Sequence, residues 1–132
     1  MRIFARLLIA VLSLVMLQSG LTILINPSAL LGDLFLIPDG ITGLSNLRGL
    51  LGGAQITFGI LLGLAAVKLQ TTILLPAGMY YVAVLIGRIF GFALDGFEEK
   101  AMHYTLFILG LIVVWSVAYG LLRKIQTQEL ST

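Results

Sequence analysis

At 132 residues, with eight basic and six acidic side chains, the chain is 11% charged and 59% hydrophobic, whereas a soluble domain carries about a quarter charged residues. A mean hydropathy of +1.09 excludes a water-soluble fold, which would expose large apolar patches, and places the chain in a membrane. The net charge of +2 comes from scattered Lys and Arg without the basic stripe that nucleic acid requires, and the lack of cysteine excludes disulfides, thiol nucleophiles and thiolate metal sites.

The chain opens with Arg2 and Arg6 ahead of an apolar run from Leu7 to Ile25. A signal peptide would begin in this way, but the run reaches the roughly 20 residues of a bilayer-spanning helix, so a retained first span over residues 5–25 is expected. Asn26-Pro27-Ser28 ends it, because proline breaks the hydrogen-bond ladder and disfavours helix in the residue before it. Residues 29–46 are too apolar for a free loop and too interrupted to span, so they are expected to lie at the interface, with Pro38-Asp39-Gly40 as a turn. Further spans follow at 47–67, at 71–93 with Pro76 near its start, and at 102–122. Four spans with short connections predict an all-α, integral membrane, antiparallel four-helix bundle forming a single domain.

Orientation follows from the positive charges. Arg2, Arg6, Lys68, Arg123 and Lys124 fall at one end, against Glu129 alone, while Asp33, Asp39, Asp95, Glu98 and Glu99 gather at the other with Arg48 and Lys100. Both termini are therefore expected in the cytoplasm.

On the second span Gly49, Gly52, Ile56, Gly59, Gly63 and Ala66 share a face, a groove open to a neighbouring backbone except where Ile56 interrupts it. Gly49 with Gly53, Gly59 with Gly63, and Gly87 with Gly91 match the small-xxx-small packing pattern. They are expected to pack the bundle, or to seat a second copy or another membrane protein.

Two arginines carry a sharper signal. Arg48 lies 20 residues before Lys68 and Arg88 lies 17 after Thr71, which is about 30 and 26 Å from the shared inner turn, so both should stand at nearly the same depth. Two cations at one level need anions, and Asp39 and Asp95 are the nearest in sequence. Gln18, Gln55 and Tyr81 should form a second polar layer about 10 Å deeper, since Gln55 follows Arg48 and Tyr81 precedes Arg88 by seven residues. If they converge, they floor a pocket whose mouth is Arg48, Arg88, Asp39 and Asp95. The competing reading gives the glutamines only a packing role and leaves the arginines as anchors at the headgroups. His103, beside Tyr104, has no second ligand at metal spacing and reads as interfacial, as Trp115, Tyr80, Tyr104 and Tyr119 read as core or belt aromatics. No metal or cofactor is expected.

Arg48-Gly49-x-x-Gly52-Gly53 opening one span, and Gly87-Arg88 followed by Leu94-Asp95-Gly96 after the next, resemble an uncharacterised family of small four-helix bacterial inner-membrane proteins, a domain of unknown function loosely similar to DoxX-like proteins. The resemblance covers most of residues 47–122. It implies the four-helix fold and draws attention to Arg48, Arg88 and Asp95, but supplies no activity. Asp39-Gly40 and Asp95-Gly96, each leading into a span, are also a faint sign of a duplicated helical hairpin.

Two functional classes remain. One is a binding or accessory protein that holds an anionic lipid or small anion at the arginines. The other is a small membrane enzyme or redox accessory acting on a lipid or quinone, with Asp95, His103 or Tyr81 moving protons. The first is preferred, because groups that bind are present while a base paired with an orienting group is not.

Overall fold

The computed structural model describes residues 1–31, 40–96 and 99–130 of the chain. Four helices among them are long and apolar enough to cross a membrane. Helix α1 runs Arg2–Ile25, α2 is one short turn at Ser28–Leu31, and α3 (Gly40–Leu47) leads through a π-helical turn, Arg48–Gly52, into α4 (Gly53–Lys68). Helices α5 (Thr71–Asp95) and α6 (Glu99–Leu130) complete the bundle. The second span is thus a continuous helical path from Gly40 to Lys68, seven residues longer at its start than its apolar run suggested. Residues 40–46 of the expected interfacial segment belong to this helix, and 32–39, with Asp39, lie outside the described residues. Gly40 permits the early start with a φ of +62°, a conformation that costs glycine little.

Each helix touches two neighbours, α1 against α4 and α6, and α5 against α4 and α6, which closes a four-membered ring. The tightest seam joins α1 to α4. A Cβ on Gly20 would lie 2.7 Å from Ile56, one on Gly59 2.7 Å from Leu17, and one on Gly63 3.2 Å from Ser13. As the α1 number falls by three or four, the α4 partner's number rises by as much, the register of antiparallel helices meeting on one stripe. Ile56 therefore does not interrupt the small-residue face, because α1 offers Gly20 to receive it. Ser13 adds a buried bond, its Oγ donating to the Gly59 carbonyl at 2.7 Å.

The α5–α6 seam is held by an aromatic insertion. Trp115 lies so close over Gly78 that any β-carbon there would overlap its indole, and Nε1 donates to the Leu74 carbonyl at 3.0 Å. At the same end of the bundle as Lys68, Gln126 ties the α4–α5 turn to α6. Its Nε2 donates to the Leu69 carbonyl and its Oε1 accepts from Thr71 Oγ1. Leu69 takes a left-handed φ of 53° to end α4, with its N–H on the Ala65 carbonyl, the helix-terminating geometry usually given to glycine.

The outer faces suit lipid. Leu14, Leu64, Val67, Met79, Phe90 and Val113 are exposed, and hydroxyls on those faces bond within their own helix, as Thr22 does to Gln18, Thr57 to Gly53 and Ser116 to Ile112. Those three hydroxyls are thereby spared from standing bare in hydrocarbon. The main buried cluster fills the half of the bundle toward Lys68. Ile9, Leu12, Leu62, Leu74 and Leu122 are fully buried there, and the cluster stops at Met16 and Tyr81; further along the α1 seam Ile23 is also fully buried, beside Gly52.

Candidate functional site

Beyond that core lies a partly open cavity of about 300 Å³ lined by all four spans. This is the lower end of the size range of small-molecule sites. Helix α5 supplies its polar wall by simple periodicity. Leu74, Ala77 and Tyr81 are buried at spacings of three and four, and Arg88, seven residues further, continues the same inward stripe. Tyr80, Tyr81 and Arg88 all line the cavity. The π-helical turn contributes Leu51, helix α4 Gln55, helix α1 Met16 and Ser19, and helix α6 Tyr104, Ile108 and Leu111. Polar groups thus stand at the two ends of a largely apolar chamber, Arg88 with Tyr104 toward the Asp95 end, and Tyr81, Ser19 and Gln55 nearer the packed core.

The Arg88 guanidinium is held over the Tyr104 ring, 5.7 Å from its centroid, an attraction between cation and ring face that keeps the charge between α5 and α6. At the floor, Tyr80 stacks on Phe58 with centroids 4.5 Å apart, which fixes α5 against α4, and the Gln55 amide approaches the Tyr80 hydroxyl. Two floor atoms have no partner: the Tyr81 hydroxyl, on a residue only 2% exposed, and Gln55 Oε1. Buried polar atoms without partners are uncommon and costly, and both of these belong to residues that line the cavity.

Three of the residues expected to converge do so: Arg88, Gln55 and Tyr81. Gln18 does not. It is exposed, two residues from both Met16 and Gly20 of the buried stripe and therefore on the far side of α1; its neighbour Ser19 takes the place. Arg48 is absent from the wall as well. The π-helical turn at Arg48–Gly52 lies between it and Gln55 and breaks the seven-residue register on which their shared face was argued. Arg48 is partly buried with its Nε unpartnered. Asp95 closes α5, but its side chain, like Asp39, lies outside the described residues. His103 is exposed, with Nδ1 3.2 Å from the Glu99 carbonyl of its own helix. Of the glycines, Gly59 and Gly63 pack on α1, whereas Gly49, Gly53 and Gly87 face open space. Gly78, which no repeat singles out, makes the closest approach, and Gly20, likewise outside the repeats, comes as near as Gly59.

Ser19, Tyr80 and Tyr104 escape a reading by spacing. Tyr104 pairs with Arg88 only because the antiparallel register of α5 and α6, set by Trp115 on Gly78, brings them level.

The fold and the cavity define a class: a small four-span membrane bundle, packed solid in one half and hollow with polar ends in the other. The chain belongs to the family described as Domain of unknown function (DUF4345), whose model matches residues 4–119. No curated protein and no solved structure matches it.

Proposed function

We propose that this protein is a membrane binding or accessory module that holds an anionic lipid or a similar small anion in the hollow half of the bundle, with Arg88 as the anion's partner. The observation that supports it most is the conjunction of an inward-facing arginine with the polar residues Tyr81 and Gln55 on the wall of one largely apolar cavity. An ionisable side chain on the inner face of a span is a functional feature by default, and a guanidinium suits carboxylate and phosphate geometry better than an ammonium does. Apolar walls formed by Leu51, Val84, Ile108 and Leu111 suit a ligand with a hydrocarbon part. Asp39 and Asp95 are the carboxylates that would pair with the arginines when no ligand is bound.

In this reading the protein lies in a bacterial inner membrane, the setting the family resemblance implies. The cavity end faces outward and both termini are cytoplasmic, in accord with the basic residues Arg2, Arg6, Lys68, Arg123 and Lys124 at the opposite end.

Native mass spectrometry of the detergent-purified protein tests the proposal. A co-purifying anionic species is expected on the wild type and on Arg48→Ala, whose side chain is not in the cavity wall, and is expected to be lost from Arg88→Ala while helicity is retained. The same adduct profile in all three proteins would overturn the reading and leave Arg88 as an anchor.

A further inference from the structure

The cavity is open on one side, and two residues of α6 show which. Phe107 and Ile125 are 18 residues apart, five full turns of helix, and so point the same way. Ile125 is 3% exposed, whereas Phe107, on the cavity wall, is 55% exposed. Whatever covers this side of α6 near Ile125 has drawn away by the level of Phe107. Among the described residues that line the cavity, Phe107 alone is exposed.

The helix that draws away is α1. Helix α6 touches α5 and α1, and its Trp115 and Gln126 turn toward α5, bonding to the Leu74 carbonyl and the Thr71 hydroxyl. Ile125 stands about 100° round the helix from Gln126, on the flank left to α1. On α1, Leu8 packs against the buried cluster, and Val15, seven residues further along the same face, edges the cavity instead.

The opening faces lipid. Phe107 is five residues inside the span Met102–Gln128, about 7–8 Å from its start, and the neighbouring Leu106, Leu109 and Val113 are exposed and apolar. We infer that the cavity is entered sideways from the bilayer, between α1 and α6 past Val15 and Phe107, and that its ligand is a chain-bearing lipid acid drawn from the membrane, not a water-borne anion. The inference rests on the anion-binding reading above and names its ligand class.

The surroundings of the window suit such a ligand. Tyr104, one turn before Phe107, holds the Arg88 guanidinium over its ring, so a head group that passes the window meets the cation within a turn of helix. Val84, Ile108 and Leu111 offer apolar wall to the chain next to the acid. A cavity of about 300 Å³ holds a small molecule and not a whole membrane lipid, and the window lets the rest of the chain stay among the bilayer's own tails. A hydrated anion would have to cross hydrocarbon to use this route.

The test uses the full chain in nanodiscs of zwitterionic lipid, with equilibrium binding of radiolabelled palmitate and inorganic phosphate measured against empty discs. Palmitate is expected to bind saturably, without competition from phosphate. Arg88→Ala is expected to weaken palmitate binding at least about tenfold, through loss of a charge-assisted contact. Val15→Trp, which fills the window, is expected to weaken it by about as much through overpacking. Val113→Trp, the same enlargement on the lipid face, is expected to bind as the wild type does, and all three variants are checked for wild-type helicity. The wild type gives a second readout that needs no variant: palmitate carrying a pyrene at the far end of its chain is expected to bind as tightly as palmitate, because that end stays in the bilayer. Arg88-dependent palmitate binding that is the same in Val15→Trp and Val113→Trp, or exclusion of the pyrenyl acid, would overturn the lateral route and leave the anion site standing. So would phosphate binding at Arg88, alone or in competition with palmitate. Absence of saturable binding of either anion, or binding indifferent to Arg88, would overturn both readings.

Discussion

Gly78 and Gly87 are nine residues apart on α5, both glycines in an apolar helix, and the structure gives them opposite roles. Gly78 is buried beneath the Trp115 indole, and the ring occupies the space a side chain would need. Gly78→Ala must therefore displace the indole and its bond to the Leu74 carbonyl, or part α5 from α6; overpacking of this kind costs about 1–3 kcal/mol. Gly87 has nothing within reach of a β-carbon, so Gly87→Ala is expected to leave stability unchanged or raise it by about 0.5–1 kcal/mol through helix propensity. Unfolding in mixed micelles, followed by Trp115 fluorescence, separates the two. Equal effects would mean that the α5–α6 seam is not built on this insertion. The contrast also shows why a glycine motif is a poor guide to contact: Gly87-x-x-x-Gly91 satisfies the pattern, while Gly78, with no glycine partner at that spacing, makes the close approach.

Among the elements, α1 and α4 form the most intimate pair, and their seam combines a hydrogen bond with close backbone approach. The two contributions are separable. Ser13→Ala removes the bond to the Gly59 carbonyl but no shape, and interhelical bonds in membranes average about 0.6 kcal/mol. Gly59→Ala pushes into Leu17, whose Cγ stands 2.7 Å and backbone nitrogen 3.0 Å from the added carbon, so the helix itself must move. Gly59→Ala is expected to destabilise the protein by several times more than Ser13→Ala, measured by the same unfolding titration. The reverse order would make the hydrogen bond, not the fit, the organising contact. At the scale of elements, too, the π-helical turn explains why a heptad argument failed: spacing places residues on one face only while the helix keeps one period, and Arg48–Gly52 does not.

The whole molecule has an accessible surface of 8260 Å², against roughly 6,800 Å² for a compact globule of 14.2 kDa. The excess follows from a thin bundle with exposed leucines, valines and phenylalanines on its outside, which lipid rather than protein must cover. In such a bundle the ends are distinguished by charge. Fusions at the C-terminus are expected to give a fluorescent protein that matures and an alkaline phosphatase that stays inactive, the behaviour of a cytoplasmic end; an active phosphatase would reverse the orientation and turn the cavity toward the cytoplasm. The division of the interior into a solid half and a hollow half is also a property of the whole, since all four spans contribute to the cavity and no one helix marks where the core stops.

The membrane class, the number of spans and the family are legible in the chain alone, because these depend on the length and hydropathy of segments, which are local and additive along the chain. So is the stripe that joins Tyr81 to Arg88, since heptad spacing on an unbroken helix is geometry that sequence carries; Gln55 reaches the same cavity although the heptad from Arg48 that pointed to it is broken by the π-helical turn. That Arg48 leaves the stripe follows from the π-helical turn in its own helix. That Gln18 turns away and that Ser19, Tyr80 and Tyr104 enter the wall depends on the rotation of one helix against another, and that rotation is set by where Gly20, Gly59 and Gly78 let a neighbour approach, a matter of contact between segments far apart in the chain.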